Sequence, residues 1–295
     1  MGFFRSVGTT LEMIKWEHSI FALPFALTGA MLAANGIPRP MQVVWIIVCM
    51  VSARSAAMAF NRWADAVLDA ENPRTKMRAI PAGLLSRRFV GGFTAAMAAI
   101  FVIGCAELNR LTLDLSPLVL IVLFSYSYTK RFTRWSHLVL GLALGLAPAG
   151  AWIAVRGSLD ARILILTLAV MFWVAGFDLL YACQDAAHDR AHSLFSVPAT
   201  WGIETAFWIA RLLHVAMLGL LVWLVRVFML GHFAWLGLAA VAALLLYEHL
   251  IVSPGDLRRL NAAFFTMNGV ISMVFFCFIA ADLLLRHTVQ FHAWR

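Results

Sequence analysis

Runs of about twenty mainly apolar residues recur along this chain from end to end, and nothing else limits its fold so severely. A run of that length crosses a bilayer only as a helix, because lipid offers backbone N–H and C=O groups no partner outside the helix itself. Nine such runs are read, at His18–Gly36, Met41–Phe60, Phe89–Leu108, Leu115–Thr129, His137–Val155, Arg162–Tyr181, Ala206–Leu230, His232–Ile251 and Asn261–Leu285, of which the fourth is the shortest. Charge is scarce to match. Only 13% of the 295 residues are charged, against about 25% in a soluble domain. The expectation is an all-α polytopic membrane protein, nine transmembrane helices in a single domain over residues 1–295. Pro24, Pro148 and the glycines of "LGLALGLAPAGAW" fall inside these runs, which membrane helices tolerate.

The net charge of +8 would suggest a nucleic-acid partner in a soluble protein. Its distribution points to the membrane instead. When lysines and arginines are assigned to alternate sides of the nine spans, fourteen fall on one side, six on the other, and three (Arg54, Arg211, Arg226) within spans. Positive charge marks the cytoplasmic face, so the N-terminus is expected inside and the C-terminus in the periplasm, in the cytoplasmic (inner) membrane. The N-terminus lacks the pattern of a cleavable signal, and the first run is read as a retained span. Cys49, Cys105, Cys183 and Cys277 show no zinc or redox spacing and read as small buried side chains.

Two connections on the predicted cytoplasmic side are rich in polar residues: "NRWADAVLDAENPRTKMRAIPAG" (61–83) and "QDAAHDRAHSLFSVPATWG" (184–202). In the first, Asn61, Asp65 and Asp69 recur every four residues; in the second, Asp178, Tyr181, Asp185 and Asp189 recur at steps of three, four and four. On a helix each set shares one face. Like charges at that spacing repel, and ionisation near a membrane costs more, so cations are needed to hold both lines ionised. Carboxylates suit magnesium, which takes one or two from the protein and completes its shell with water and substrate phosphates. Two such lines facing each other would hold a bridging diphosphate.

Three further features bear on this chemistry. "YSYTKRFTRW" places Lys130 four residues after Tyr126, where a lysine can offset charge on a departing diphosphate; Arg131 and Arg134 read as ordinary positive-inside anchors. Arg54 lies inside the second span, on the face of Asn61 and one or two turns deeper than Asp65. An intramembrane arginine marks a functional site by default, and its planar fork suits a carboxylate or phosphate. Arg211, His214 and Arg226 read as snorkelling toward an interface; Glu248, His249 and Asp282 as interfacial; Trp16, Trp135 and Trp152 as interfacial belts.

These motifs identify a resemblance to the UbiA superfamily of intramembrane prenyltransferases along nearly the whole chain. Asn61–Asp65–Asp69 followed by "NPRTKMRAIPAG" is similar to its first signature, Asp178–Tyr181–Asp185–Asp189 to its second, and Tyr126–Lys130 to its Tyr-x-x-x-Lys segment. "ALPFAL", "NPRT" and "YACQDAAHDRAHSLFSVPATWG" look most like the branch that prenylates 4-hydroxybenzoate or a related aromatic carboxylate, as in ubiquinone synthesis and the futalosine route to menaquinone. The resemblance implies helices around a central cavity, capped by the two polar connections and open sideways to lipid. It implies that Asp65, Asp69, Asp185 and Asp189 serve two Mg2+ ions holding a polyprenyl diphosphate, with Asn61 in the same shell and Tyr181 among the substrate-binding residues. Arg54 would meet the acceptor's carboxylate, Lys130 and Tyr126 would flank the leaving group and the allylic carbon, and Asp178 would serve as base or orienting group. Lys15 stands near a basic family position, with Glu17 and His18 beside it, though "KWEHSIF" departs from the family pattern. The alternatives are a transporter of cations or organic anions, which would spread polar residues through the membrane depth, and a transferase of the same family acting on an acceptor without a carboxylate.

Overall fold

A computed structural model describes residues 3–14, 22–257, 260 and 266–292 of the chain. Among these residues there is no β-strand, and the order of elements is α1 (Phe3–Ile14), α2 (Leu23–Ala34), α3 (Pro40–Ala64), α4 (Ala66–Glu71), α5 (Arg87–Leu108), α6 (Arg110–Thr129), α7 (Ser136–Arg156), α8 (Ile163–Ala182), a 3-10 turn (Cys183–Asp185), α9 (Ala186–Ala191), α10 (Val197–Trp201), α11 (Ile203–Val227), α12 (His232–Ile251) and α13 (Asn268–His292). Eight of the described helices (α3, α5 to α8 and α11 to α13) are long and apolar enough to cross a membrane. The ninth apolar element, α2, has twelve residues, about 18 Å of helix, and lies within the predicted first span from its sixth residue on. Lys15, Glu17 and His18 lie outside the described residues, as do Arg258, Arg259 and the predicted start of the last span.

The expected fourth span begins five residues early. Asn109 caps α6, its side chain accepting from Thr112 N while the Thr112 hydroxyl accepts from Asn109 N. An Arg110–Asp114 ion pair at 2.8 Å then lets the first turn carry charge. With its true start α6 reaches 20 residues, enough to span.

The centre of the bundle is α8, buried on nearly every side, which is why its sequence is apolar all round. It rests against α7 and α11 along most of its length. A Cβ on Gly141 would stand 2.2 Å from the Met171 carbonyl oxygen, and one on Gly145 2.7 Å from that of Thr167. Only glycine at these two positions lets the backbones of α7 and α8 come this close, the small-residue contact typical of membrane helices. Phe25 of α2, Trp173 of α8 and Phe275 of α13 meet at 5.0 and 5.4 Å between ring centroids and lock the other side of α8. Trp152, read as interfacial, is instead buried, with Phe228 at 5.8 Å edge-to-face. Asp282, also read as interfacial, is buried and accepts a hydrogen bond from Gly231 N at the start of α12, a carboxylate stabilising a helix N-terminus. His214 does not snorkel: it is buried and hydrogen-bonded to His249 at 2.9 Å and to the Trp173 carbonyl at 3.2 Å. Glu248, too, is buried rather than interfacial.

Candidate functional site

A cavity of about 1180 Å³ runs up the bundle between α3, α5, α6, α7 and α8. Every residue singled out for chemistry lines it: Arg54, Asn61, Asp65, Asp69, Tyr126, Lys130, Asp178, Tyr181, Asp185 and Asp189. Four helix ends bring them together. The unbroken α3 carries Arg54 and Asn61 on one face and stops at Asp65, whose amide still bonds back to the Asn61 carbonyl at 3.0 Å. The short α4 then presents Asp69, with its amide on the Asp65 carbonyl at 2.8 Å. The second line is less regular than its spacing suggests. Asp178 and Tyr181 end α8, but a 3-10 turn separates them from α9 and Asp189, with Asp185 closing that turn.

Basic and amide groups hold these acids. Arg74, from the first connection, grips Asp185 of the second with Nε on Oδ1 at 2.7 Å and Nη2 on Oδ2, while its Nη1 donates to the Tyr181 hydroxyl at 3.0 Å. Asn72 donates to the same Asp185 at 3.2 Å. Arg78 pairs with Asp69 at 2.6 Å, Arg131 with Asp65 at 3.4 Å, and Lys130 with Asp189 at 3.8 Å. Asn61 donates to Asp65 at 2.9 Å, and Ser196 to Asp189 at 2.9 Å. The Phe195 amide bonds the Lys130 carbonyl at 2.7 Å, which docks the second connection on the end of α6. Arg74 and Arg78 had been counted only as positive-inside charge, and Arg131 as an anchor. The four-residue spacing of Arg74 and Arg78 in "NPRTKMR" was the available signal. Arg134, by contrast, meets no acid of the site among the described residues and lies 4.8 Å from the Trp201 ring.

The electrostatics follow from crowding. Burial, and then the neighbouring Asp69, push the Asp65 carboxyl above its ordinary value. Burial opposes the charge on Lys130, yet Asp189, Asp178, Asp185 and Asp65 together hold its pKa above that of a free lysine. Burial likewise works against Arg74, and its hydrogen bonds and charge attraction to Asp185 and Tyr181 together outweigh it. The mouth of the cavity therefore carries both signs in close contact and favours a ligand that can exchange places with one of them.

Among the described residues no three His, Cys, Asp or Glu side chains stand close enough to ligate one ion. Pairs of carboxylates, with water and substrate phosphates completing the shell, are what magnesium asks of a protein. One buried oxygen, Asp69 Oδ2, has no hydrogen-bond partner. A bare buried carboxylate oxygen is costly, and a hard cation suits it. The acids present thus fit such an ion.

Deeper in the cavity the lining turns apolar, with Met50, Ala53, Ala57, Phe101 and Leu144 around the wall. Arg54 is set into that wall. Because α3 is unbroken, Arg54 lies about 16 Å, three turns, below Asp65 rather than one or two. Its Nε is buried without a partner, and no carboxylate pairs with it among the described residues. One further residue, missed in the sequence, joins the site: His137 at the start of α7, whose Nδ1 is 2.7 Å from Asp178 Oδ2.

A profile of the UbiA prenyltransferase family matches residues 22–270. A 4-hydroxybenzoate octaprenyltransferase of Vibrio cholerae serotype O1 is 32% identical over 269 residues, 90% of this chain and 93% of that protein. The apo structure of a UbiA homologue from Aeropyrum pernix K1 matches with a TM-score of 0.84 at 32% identity, covering 91% of this chain and 99% of the other. A UbiA homologue from Archaeoglobus fulgidus, bound to DMAPP and Mg2+, shares the fold at a TM-score of 0.71 and 18% identity, over 93% of this chain and 99% of its own.

Proposed function

The chain belongs to the UbiA prenyltransferase family and is an integral membrane protein, and from that premise we propose that it transfers a polyprenyl group from a polyprenyl diphosphate to an aromatic carboxylic acid, 4-hydroxybenzoate or a dihydroxynaphthoate. The observation that carries this reading is Arg54, a cation with no carboxylate partner among the described residues, in the apolar wall of a cavity whose mouth holds two acid lines. An acceptor carboxylate supplies what it lacks. The named activity of the Vibrio cholerae relative supports the same acceptor class.

Bound at Asp65, Asp69, Asp185 and Asp189, magnesium would supply charge neutralisation for the leaving diphosphate. Lys130 adds a positive charge at the same place. Asn61, fixed to Asp65, Arg74, fixed to Asp185, and Tyr181, held by Arg74, offer donors to the phosphate oxygens. As the allylic carbon–oxygen bond breaks, its electron pair leaves with the diphosphate. Tyr126 flanks the resulting cation, and the apolar wall keeps water from it. The ring carbon beside the acceptor's hydroxyl then bonds to the cation, held at the right depth by Arg54. Asp178 takes the proton from that carbon, and the electron pair of the broken C–H bond restores the aromatic ring. The whole chain acts as one domain in the cytoplasmic membrane, as part of ubiquinone or menaquinone synthesis.

The test is prenyl transfer in membranes holding the chain, with one labelled polyprenyl diphosphate and a panel of aromatic acids and non-acid analogues, the products identified by mass. Transfer to the acids alone supports the reading. Transfer to analogues lacking the carboxylate moves the chain to another branch, and uptake of an ion or anion without transfer favours a transporter.

A further inference from the structure

We propose that His137 is the positioning residue of the proton acceptor: it anchors one oxygen of Asp178 and leaves the other turned to the prenylated ring. The inference rests on the transferase reading above. His137 is 1% exposed, and its Nδ1 stands 2.7 Å from Asp178 Oδ2. The other oxygen, Asp178 Oδ1, has no hydrogen-bond partner among the described residues, and the side chain lines the cavity.

The tautomer follows from chemistry. An ionised carboxylate only accepts hydrogen bonds, so the shared edge requires a proton on Nδ1. Nε2 is buried and has no hydrogen-bond partner among the described residues. A second proton there would leave a charged N–H without an acceptor, at far greater cost than a bare lone pair. The proton on the shared edge therefore belongs to Nδ1. A nitrogen that already holds its proton cannot take the one Asp178 receives, so His137 does not relay the proton; it holds the carboxylate still.

The two residues come from different helices. Asp178 belongs to the last turns of α8 and His137 to the first turn of α7. One turn further along α7, Gly141 brings the two backbones into contact at Met171. The anchor is thus built where the backbones of α7 and α8 come close. A carboxylate tied at one oxygen keeps a single orientation, and small errors in orientation are costly in rate.

The experiment uses the purified full chain. His137→Leu removes the donor at similar volume, and His137→Asn restores an N–H close to the Nδ1 position. His137→Leu should lower kcat by about ten- to a hundredfold, the range of a lost hydrogen bond to a charged group, with KM for polyprenyl diphosphate unchanged. His137→Asn should recover most of it. In an Asp178→Asn background, His137→Leu should cost nothing further, because it acts through Asp178. Should His137→Leu yield no folded protein, His137→Asn is compared with His137→Gln, whose donor sits nearer the Nε2 position and should not rescue. Parental kcat in His137→Leu, equal losses in the Asn and Leu (or Asn and Gln) variants, or losses that multiply with Asp178→Asn each overturn the inference. A parent chain that prenylates no aromatic acid overturns the transferase reading and this inference together, whereas normal transfer with an indifferent His137 overturns the inference alone.

Discussion

Arg54 and Arg74 carry the same charge and do opposite things. Arg74 is satisfied: it holds Asp185 and Tyr181, one from each side of its fork. Arg54 has a buried Nε with no partner, and no carboxylate beside it among the described residues, in an apolar wall. A charge-assisted contact is worth about 1.5–3 kcal/mol, so Arg54→Ala should raise the acceptor requirement about ten- to a hundredfold. The requirement for polyprenyl diphosphate should stay near the parent's, and Arg54→Lys should recover only part, since a point charge cannot reproduce the fork. Titrations of transfer against each substrate in turn check this; a raised diphosphate requirement instead would move Arg54 to the phosphate site. Arg74→Ala should show the mirror image. It frees Asp185 and Tyr181 at the mouth, so use of the diphosphate should fall while acceptor dependence is kept.

At the scale of elements, the cavity depends on helices that are stopped and tied at the right places. The C-terminal end of α7 is tied on two sides. Its carbonyls at Ile153 and Ala154 accept from Asn109 of α6 at 2.8 and 3.2 Å, and those of Ala154 and Val155 from Gln42 of α3 at 3.4 Å. Three helices around the cavity are thereby joined at its deep end. Along its length α7 meets α8 through Gly141 and Gly145. Gly141→Ala would force a methyl group into the Met171 carbonyl, and backbone cannot move aside cheaply. A loss of about 1–3 kcal/mol is expected for such overfilling, read as a lower melting temperature in detergent. Gly150→Ala on the same helix, where a Cβ meets nothing within 4 Å, should melt like the parent. The acid lines also belong to this scale. Periodicity put Asp178, Tyr181, Asp185 and Asp189 on one helical face, and all four do line the cavity. They reach it through a helix end, a 3-10 turn and a new helix, a break that spacing alone does not reveal.

For the whole molecule, two outcomes are expected. Saturating chelator should abolish transfer, and added Mg2+ should restore it, since the paired carboxylates at the mouth suit a cation that offsets the charge of the diphosphate; Asp65→Ala or Asp185→Ala should be inactive with metal present while still inserting in the membrane. Full transfer in chelator would remove the metal assignment. From the fourteen-to-six split of Lys and Arg, residues 61–83 and 184–202 are expected in the cytoplasm and the C-terminus in the periplasm. Single cysteines placed in those connections should resist a membrane-impermeant thiol reagent added to intact cells, and labelling from outside would reverse the topology.

The sequence by itself determined that the chain spans a membrane with helices, where most of them run, and which acids gather at one end. It could do so because these are local properties: apolar length satisfies the backbone within each helix, and residues four apart share a helix face whatever surrounds them. It also marked Arg54, since a charge inside an apolar run is conspicuous wherever the run packs. Only the tertiary structure decided who meets whom. Arg74 and Asp185 are far apart in the chain, as are Arg131 and Asp65, and Arg131 and Arg134 look alike until one turns to a carboxylate and the other to a tryptophan. His137, Asp282 and His214 lie in apolar surroundings that read as ordinary span; their partners come from other helices. A lone polar residue carries no sign of its partner in the local pattern, because what offsets its burial is brought close only when the bundle closes.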